Sequence, residues 1–487
     1  MILALFVALP LVCGLVGWAL GGRSGLASRV AALAGSLACL ALALSLWLGS
    51  ALPARLELPW IPSIGASFSL SLDGLSLPFL ALSGLLGAAA VVASWKGIEE
   101  RVSFFHFNLS LTLAGINGVF LASDLFLFAF MWELMLVPMF FVIDIWGHGG
   151  RHRAAVKFFI FTQAGGLLMI AAIAGLYAAH GSRTGDWSFA YDRLLGASAT
   201  GALSPTLQLL LMLGFFAGFA VKLPAFGLHA WLPDAHTEAP TAGSILLAGL
   251  LLKTGGYGLL RFAIPLFPEV SRSFAPVAMW LGAAGILWGG VMALGQSDMK
   301  RLVAYSSVSH LGFVLVGIYS FDPSGRNGAV IQMLSHGLST GALFMLVGAL
   351  QDRIGTRELG RMGGLARAAP RMGALGLVLT LALLGLPGMG NFIGELLVLF
   401  GAFKSDPAVA VVSGLGLVVA MAYALRMFQL AFHGEAKEKR ELADLTRVET
   451  ATLGVLVAVL LWVGLYPRGV LSLISLALPG LSGGATP

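Results

Sequence analysis

Long apolar stretches alternate with short polar connections along almost the whole chain. One helix needs about 20 apolar residues to cross the hydrocarbon core of a bilayer. By this criterion the sequence predicts fourteen membrane-spanning helices, called spans 1 to 14, which begin near residues 2, 30, 75, 107, 124, 155, 206, 241, 274, 301, 328, 372, 407 and 449. The expected fold class is an all-α, polytopic membrane protein.

The composition agrees with a membrane protein and narrows its chemistry. Only 11% of the 487 residues are charged and 58% are hydrophobic, whereas about 25% of residues are charged in a typical soluble domain. No basic run is interleaved with exposed aromatic residues, so nucleic acid is not an expected partner. Cys13 and Cys39 are the two cysteines of the sequence, and both lie in apolar stretches. This position argues against a disulfide framework and against a thiolate metal site.

The distribution of basic residues predicts the orientation in the membrane. Of the 29 Lys and Arg residues, eighteen fall in the odd-numbered connections and eight in the even-numbered connections and the C-terminal tail. Cytoplasmic connections carry an excess of basic residues, so both termini are expected on the outer, periplasmic side of the cell inner (plasma) membrane. No basic residue precedes the first apolar run, which favours a retained span over a cleaved signal.

The three remaining basic residues lie within spans, together with two glutamates and two histidines. The set comprises Glu133, Lys222, Lys253, His310, His336, Glu395 and Arg426. A charge at the bilayer centre costs about 3 kcal/mol on insertion scales, so such residues seldom occur without a function or a partner. Two interpretations stay open: static salt bridges and packed histidines that hold helices together, or a path for protons.

Two of these residues lie beside helix breakers. Pro224 closely follows Lys222, and Pro387 and Gly388 precede Glu395. Proline removes a backbone donor, and unpaired backbone groups at membrane depth are tolerated only inside protein or beside a water-filled cavity. The sequence therefore predicts that spans 7 and 12 are broken helices next to a hydrated path.

The two halves of the chain show an internal similarity. An offset of 173 residues pairs Lys222 with Glu395, Lys253 with Arg426 and Gln163 with His336, and an offset of 174 pairs Ser123 and Asp124 with Ser297 and Asp298. Each unit contains five spans, an odd number, so the second copy enters the membrane from the opposite face and the repeat is inverted. The expected units are 1–106 (spans 1 to 3), 107–265 (first repeat), 270–433 (second repeat) and 434–487 (span 14 and tail). Chance matching of one or two pairs stays an alternative.

The buried residues suggest a proton relay, because chains of acidic and histidine side chains carry protons in pumps and transporters. The expected order is Glu133, Lys222, Lys253, His310, His336 and finally Glu395 as the exit carboxyl. In this hypothesis Glu133 modulates Lys222, and water connects Lys222 to Lys253.

Other polar motifs carry weaker signals. His148 and His152 have a spacing that suits a metal, but their Gly-rich segment offers no third ligand, which favours a solvated loop. A further polar group comprises His229, Asp234, His236 and Glu238. It could gather protons at a surface or form a simple polar loop. The sequence has no phosphate-cradling loop, dinucleotide fingerprint or cysteine set for iron–sulfur clusters, so no cofactor or metal is expected in this chain.

Four stretches form a recognisable set: MWELMLVPMFF, FAVKLPAFGLHAWLPDAHTEAPTAGSILLAGLLLKTGGYGLLR, GQSDMKRLVAYSSVSHLG and LPGMGNFIGELL. Together they resemble the antiporter-like membrane subunits of respiratory complex I, NADH:quinone oxidoreductase, over nearly the whole chain. In that family the conserved charged positions correspond to Glu133, Lys222, Lys253 and Glu395. A glutamate at the last position is the M-type (subunit 4 type) pattern, and the long lateral helix of L-type subunits is not expected after span 14.

The resemblance implies a fourteen-helix, proton-pumping subunit of a translocase-class NADH:quinone oxidoreductase, without a redox centre of its own. FMN, iron–sulfur clusters and quinone are then expected in partner subunits, with L-type and N-type antiporter-like subunits on either flank. Three alternatives remain: a subunit of a multi-subunit Na+/H+ antiporter, a subunit of a membrane-bound energy-converting hydrogenase, or a structural spacer. Glu395 and the full-length match argue against the antiporter.

Overall fold

The computed structural model describes residues 1–22, 25–49, 52–199, 203–435 and 442–477. Within these residues, thirteen helices are long and apolar enough to cross a membrane. Predicted span 12 consists of two shorter helices, Pro370–Leu383 and Gly390–Ser405. The prediction of an all-α polytopic membrane protein with about fourteen spans is therefore confirmed. Of the basic residues that predicted the orientation, those outside the described residues are Arg23, Lys437, Lys439 and Arg440.

The spans of the first half follow the predicted order with small shifts at their ends. Spans 1 to 7 are Ile2–Leu20, Leu26–Leu48, Ser76–Ala93, Val102–Leu121, Leu125–Trp146, Arg151–Thr184 and Pro205–Lys222. Span 5 is interrupted at Met135, between Leu125–Leu134 and Leu136–Trp146. Two shorter helices, Tyr191–Ala199 and Trp231–Glu238, precede and follow span 7.

The rest of the chain supplies the remaining spans. Spans 8 to 11, 13 and 14 are Thr241–Leu266, Pro268–Leu294, Met299–Tyr319, Pro323–Ile354, Pro407–Phe432 and Arg447–Leu465. Short helical segments at Leu359–Arg361 and Leu365–Ala368 precede span 12, and the helix Arg468–Ala477 follows span 14. Span 8 contains two π-helical turns, Leu247–Leu251 and Leu259–Ala263.

Burial divides the spans into a central and a peripheral group. Spans 8, 10 and 11 are buried along their whole apolar length, whereas 33% of the residues are buried in spans 1, 2 and 14. The exposed apolar faces of the peripheral spans suit contact with lipid. Lys253, His310 and His336 all lie on the central spans, so neighbouring protein shields these polar side chains from lipid.

An antiparallel hairpin, which was not predicted from the sequence, lies in the connection between spans 2 and 3. Strand β1 is Ala54–Ile61 and strand β2 is Ala66–Leu72. The backbone nitrogen and the hydroxyl of Ser67 donate to Asp124 Oδ2 at 3.0 and 3.1 Å. Because Asp124 caps span 5, the hairpin fixes the start of that span.

A compact set of hydrogen bonds holds the start of span 5. Asp124 Oδ1 accepts from the backbone of the first helical turn at 2.9 Å, which satisfies a donor that has no partner within the helix. The backbone of Leu125 donates to Phe189 O at 2.9 Å, and that of Tyr191 donates to Ser123 O at 3.0 Å. The connection between spans 6 and 7 therefore forms a short antiparallel bridge with the residues before span 5.

The same arrangement recurs at the start of span 10. Asp298 Oδ1 accepts from the backbone of the first helical turn at 3.0 Å. The backbone of Met299 donates to Arg357 O at 2.9 Å, and that of Leu359 donates to Ser297 O at 2.8 Å, so the bridge now involves the connection between spans 11 and 12. This recurrence supports the inverted repeat, which stays a prediction together with the unit boundaries drawn from it.

Candidate functional site

Glu133 lies on span 5, two residues before the interruption of that helix at Met135. Its Oε1 atom is buried without a hydrogen-bond partner. Gly166 on span 6 permits this packing, because a Cβ atom at that position would lie 2.5 Å from Glu133 Oε1. The backbone of span 6 therefore closes one side of the carboxyl group.

Lys222 is the last residue of span 7 and is fully buried. Its Nζ atom lies 5.2 Å from the ring centre of Trp132 and 5.9 Å from that of Phe158, within the range of cation–π attraction. The same atom has no hydrogen-bond partner. Because Trp132 precedes Glu133 in span 5, the lysine and the glutamate occupy the same buried region, and both present an unpaired polar atom.

The predicted break of span 7 is present, and protein groups close it. Pro224 cannot donate to Ala220 O, the carbonyl four residues earlier. The backbone of Ala225 donates to that carbonyl instead, at 2.9 Å. Trp231 Nε1 donates to Val221 O at 3.0 Å. The short helix after span 7 is thus anchored to the turn that carries the lysine.

Span 12 has a similar break, but its charged residue stands on the other side of it. The backbone of Leu386 donates to Leu381 O at 3.0 Å, five residues back, as in span 7. Glu395 lies in the helix Gly390–Ser405, after the break, whereas Lys222 lies before the break of span 7. The offset of 173 residues that pairs the two charged residues therefore does not superpose the two breaks.

Lys253 and His336 are in direct contact in the centre of the molecule. Both side chains are fully buried, and Lys253 Nζ lies 2.6 Å from His336 Nδ1. Lys253 Nζ also donates to Ala248 O, a carbonyl in the first π-helical turn of span 8. Such turns are frequent at functional sites, and here the turn supplies a backbone acceptor for the ammonium group.

His310 connects a carboxyl group to a phenol. Its Nδ1 atom lies 2.8 Å from Glu395 Oε1, and its Nε2 atom lies 3.1 Å from the hydroxyl of Tyr423. Gln332 Nε2 donates to the same carboxylate oxygen at 2.9 Å. An ionised carboxylate accepts hydrogen bonds only, so beside an ionised Glu395 a neutral His310 would donate from Nδ1 and accept from Tyr423 at Nε2.

The contacts of the two histidines differ from the predicted order. Lys253 contacts His336, and His310 contacts Glu395, so His336 stands next to the lysine and His310 next to the carboxyl group. The ring centres of the two histidines are 5.9 Å apart. The order along the chain was misleading because the two residues stand on adjacent spans whose register the sequence does not reveal.

Arg426 lies apart from the buried polar residues. Its side chain is exposed near the end of span 13 and donates to Leu294 O, at the end of span 9. A long arginine side chain reaches a polar group near the membrane surface in this way. Arg426 lies within span 13 as predicted, but its environment differs from that of Lys253, its predicted partner in the repeat.

Sequence reasoning missed Gln332 and Tyr423. Both are buried, and they contact Glu395 and His310. Neither residue type is an expected proton carrier, because an amide does not titrate and a phenol titrates far above neutral pH. Their sequence signal is a polar side chain in the middle of an apolar span.

Replacing Tyr423 by phenylalanine is expected to slow, about fivefold, the NADH-driven proton uptake that the sequence resemblance implies, because one buried hydrogen bond contributes about 1 kcal/mol. The change removes the hydroxyl that lies 3.1 Å from His310 Nε2. Uptake into everted membrane vesicles measures the effect. Tyr466→Phe, at an exposed position, is the control. An unchanged rate for Tyr423→Phe would show that the phenol has no such role.

His148 and His152 have different surroundings. His152 is exposed, and its Nδ1 atom lies 2.8 Å from Asp144 Oδ1. Burial lowers the pKa of His148 to about 4, and the charges of Lys300 and Arg357 act in the same direction. Within the described residues, no group of three or more His, Cys, Asp or Glu side chains could hold a metal ion.

The polar group in the short helix after span 7 forms a structural connection. Asp234 lies 2.6 Å from Lys157 Nζ of span 6 and 3.2 Å from an Arg301 nitrogen of span 10. These ion pairs tie the short helix to two spans. His236 is fully buried and stacks on Phe344 with ring centres 4.8 Å apart.

Comparisons with known proteins find relatives over nearly the whole chain. Residues 122–421 match the family model described as NADH:quinone oxidoreductase/Mrp antiporter, TM. NADH-quinone oxidoreductase subunit M of Escherichia coli (strain K12) is 48% identical over 490 residues, which cover 97% of this chain and 96% of that protein. The corresponding subunit M of Pseudomonas aeruginosa is 46% identical over 501 residues, 99% and 97% of the two chains. A chain in the structure of respiratory complex I from Thermus thermophilus with bound NADH has a TM-score of 0.88 and 33% identity, covering 99% of this chain and 100% of that chain.

Proposed function

Because this chain belongs to the NADH:quinone oxidoreductase/Mrp antiporter transmembrane family, we propose that it translocates protons as a membrane subunit of an NADH:quinone oxidoreductase. Electron transfer in partner subunits supplies the free energy, and this chain provides the proton path. One observation carries the proposal: Lys253 contacts His336 at 2.6 Å and His310 contacts Glu395 at 2.8 Å, all within the buried interior.

In the proposed path each group has one task. The order is Lys222 with its modulator Glu133, then Lys253, His336, His310 and Glu395. Lys222 Nζ and Glu133 Oε1 are buried polar atoms without protein partners, and such atoms usually bind internal water. Water therefore carries the proton from Lys222 to Lys253. The Lys253–His336 and His310–Glu395 contacts carry it within each pair, transfer between the two histidine rings links the pairs, and Glu395 releases it.

Changes in the electrostatic interaction between Glu133 and Lys222 couple the path to electron transfer. Two unit charges about 6 Å apart at an effective dielectric near 20 attract each other by roughly 3 kcal/mol. Moving one proton against about 150 mV costs roughly 3.5 kcal/mol. Forming or breaking one such pair therefore changes the energy of a proton on Lys222 by an amount similar to the work of transport.

Replacing Glu133 by glutamine tests this coupling. Uptake against the full membrane potential is expected to fall at least threefold, because Lys222 loses the charge that stabilises its protonated form. The defect should be smaller when valinomycin and K+ collapse the potential. Everted vesicles energised with NADH provide the measurement, and Glu99→Gln, in an exposed connection, is the control. Equal uptake by both variants at full potential would contradict the proposal.

The same proposal extends to partners and orientation. FMN, iron–sulfur clusters and quinone belong to partner subunits, and L-type and N-type subunits lie on the two flanks. Both termini face the periplasmic side of the inner membrane, as the distribution of Lys and Arg favours. In an Na+/H+ antiporter subunit, replacing Na+ by choline would abolish proton uptake. In the proposed function uptake depends on NADH and is unchanged by that replacement.

A further inference from the structure

Two more polar side chains follow Lys253 along span 8. Tyr257 and Arg261 come at successive intervals of four residues, so the three side chains follow one side of the helix. Eight residues of helix correspond to about 12 Å. This line leads from the centre of the molecule toward the end of span 8 at Leu266, which the predicted orientation assigns to the outer side.

A fixed ion pair stands at the outer end of this line. Arg261 Nη2 lies 2.6 Å from Asp73 Oδ2, and Arg261 Nε donates to the hydroxyl of Tyr257 at 3.1 Å. The side chains of Arg261 and Asp73 are 21% and 19% exposed. Asp73 Oδ1 accepts from the backbone of Leu75 and Ser76 at 3.0 and 3.1 Å. Hydrogen bonds from the start of span 3 thus fix the carboxylate of Asp73, and the ion pair with this carboxylate fixes the guanidinium of Arg261.

Three packed rings lie on the inner side of this ion pair. Tyr257, Phe79 and Phe120 are buried to 1% exposure or less. The ring centres are 5.0 Å apart for Phe79 and Phe120, 5.1 Å for Phe120 and Tyr257, and 6.0 Å for Phe79 and Tyr257. The Tyr257 hydroxyl donates to Phe120 O at 2.7 Å. These apolar faces leave little space or hydrogen bonding for a chain of water.

We propose that the Arg261–Asp73 ion pair and these three rings form an outer seal, which prevents Lys253 from exchanging protons with the outer side. Pore-lining arginines and apolar constrictions exclude protons in channels by electrostatic repulsion and by removal of water. The inference rests on the proposed role of Lys253 as a proton carrier. A proton on Lys253 then leaves to His336, and the gradient does not dissipate along span 8.

The seal is tested by passive proton conductance. The complete complex is placed in proteoliposomes without NADH, and a valinomycin-induced K+ potential drives protons inward. Arg261→Gln is expected to raise the proton conductance at least threefold. Arg193→Gln, which removes an exposed pair with Asp186 at 2.6 Å on the same predicted side, is the matched control and should leave it unchanged. Asp73→Asn is a second test variant, since its side-chain oxygen still caps span 3.

Adding Lys253→Met to Arg261→Gln should return the conductance to the wild-type value, because the leak needs the lysine. The seal is refuted if assembled Arg261→Gln and Asp73→Asn complexes both conduct like wild type, if the leak persists without Lys253, or if neither variant assembles. These outcomes are distinct from failure of the proposed function. That failure is measured separately, as unchanged NADH-driven uptake in the single variant Lys253→Met.

Discussion

At least a tenfold loss of NADH-driven proton uptake is expected when Lys253 is replaced by methionine. Methionine has a similar length but carries no proton, and it cannot replace the contacts with His336 Nδ1 and Ala248 O. The contacts of Lys253 are with an imidazole and a backbone carbonyl, so its replacement by methionine leaves no partner carboxylate uncompensated. The complex should therefore assemble, and the loss should reflect transport rather than folding.

Three measurements separate these effects for Lys253→Met. Fluorescence quenching in everted vesicles reports proton uptake, a native gel reports assembly, and reduction of ferricyanide by NADH reports the partner subunits. Lys404→Met is the matched control, because Lys404 is 60% exposed and pairs with Asp322 at 3.0 Å. Normal uptake by an assembled Lys253→Met complex would refute a path through this lysine.

The second large effect is expected at Glu395. Glutamine preserves the shape of the side chain and one acceptor oxygen for His310 and Gln332, but it cannot release a proton. Uptake should fall at least fivefold in Glu395→Gln, whereas Glu269→Gln, at an exposed position in the first turn of span 9, should behave like wild type. Equal uptake by the two variants would show that the carboxyl group does not transfer protons.

Replacing Glu395 by lysine distinguishes a need for any side chain that can carry a proton from a specific need for a carboxylate. Gln332 Oε1 is buried without a hydrogen-bond partner, so rotation of this amide would present an acceptor to the new ammonium group. Nδ1 of His310 can also become an acceptor by a change of tautomer. Glu395→Lys is therefore expected to retain more uptake than Glu395→Gln, measured in the same vesicles. The reverse ranking would indicate a specific need for a carboxylate.

The number of spans and the buried polar residues could be predicted because both follow from the cost of placing polar groups in lipid. In lipid, backbone polar groups must be paired within the helix, so the length of an apolar stretch identifies a span. A charged side chain in lipid is also costly, so Lys222, Lys253 and Glu395 could each be recognised as unusual. The broken helices were predictable for the same reason, because proline removes a backbone donor that Ala225 replaces at 2.9 Å in span 7.

Contacts between spans could not be predicted in this way. The reversed order of His310 and His336 depends on how two central helices are set against each other, and Arg426 is exposed because of the direction in which its side chain extends. The length of an apolar stretch gives no information on the relative position of two helices or on the direction of a side chain. Tyr423 illustrates the same limit, since its hydroxyl contacts the imidazole of His310, which lies 113 positions earlier in the chain.

The 5.9 Å between the ring centres of His310 and His336 has a kinetic consequence. A continuous chain of hydrogen bonds would conduct protons in both directions at all times and would short-circuit the gradient. In the proposed path, Lys253 and His336 lie on one side of this gap and His310 and Glu395 on the other, and His336 Nε2 has no hydrogen-bond partner. Net proton current along the proposed path then depends on how often the two rings are bridged.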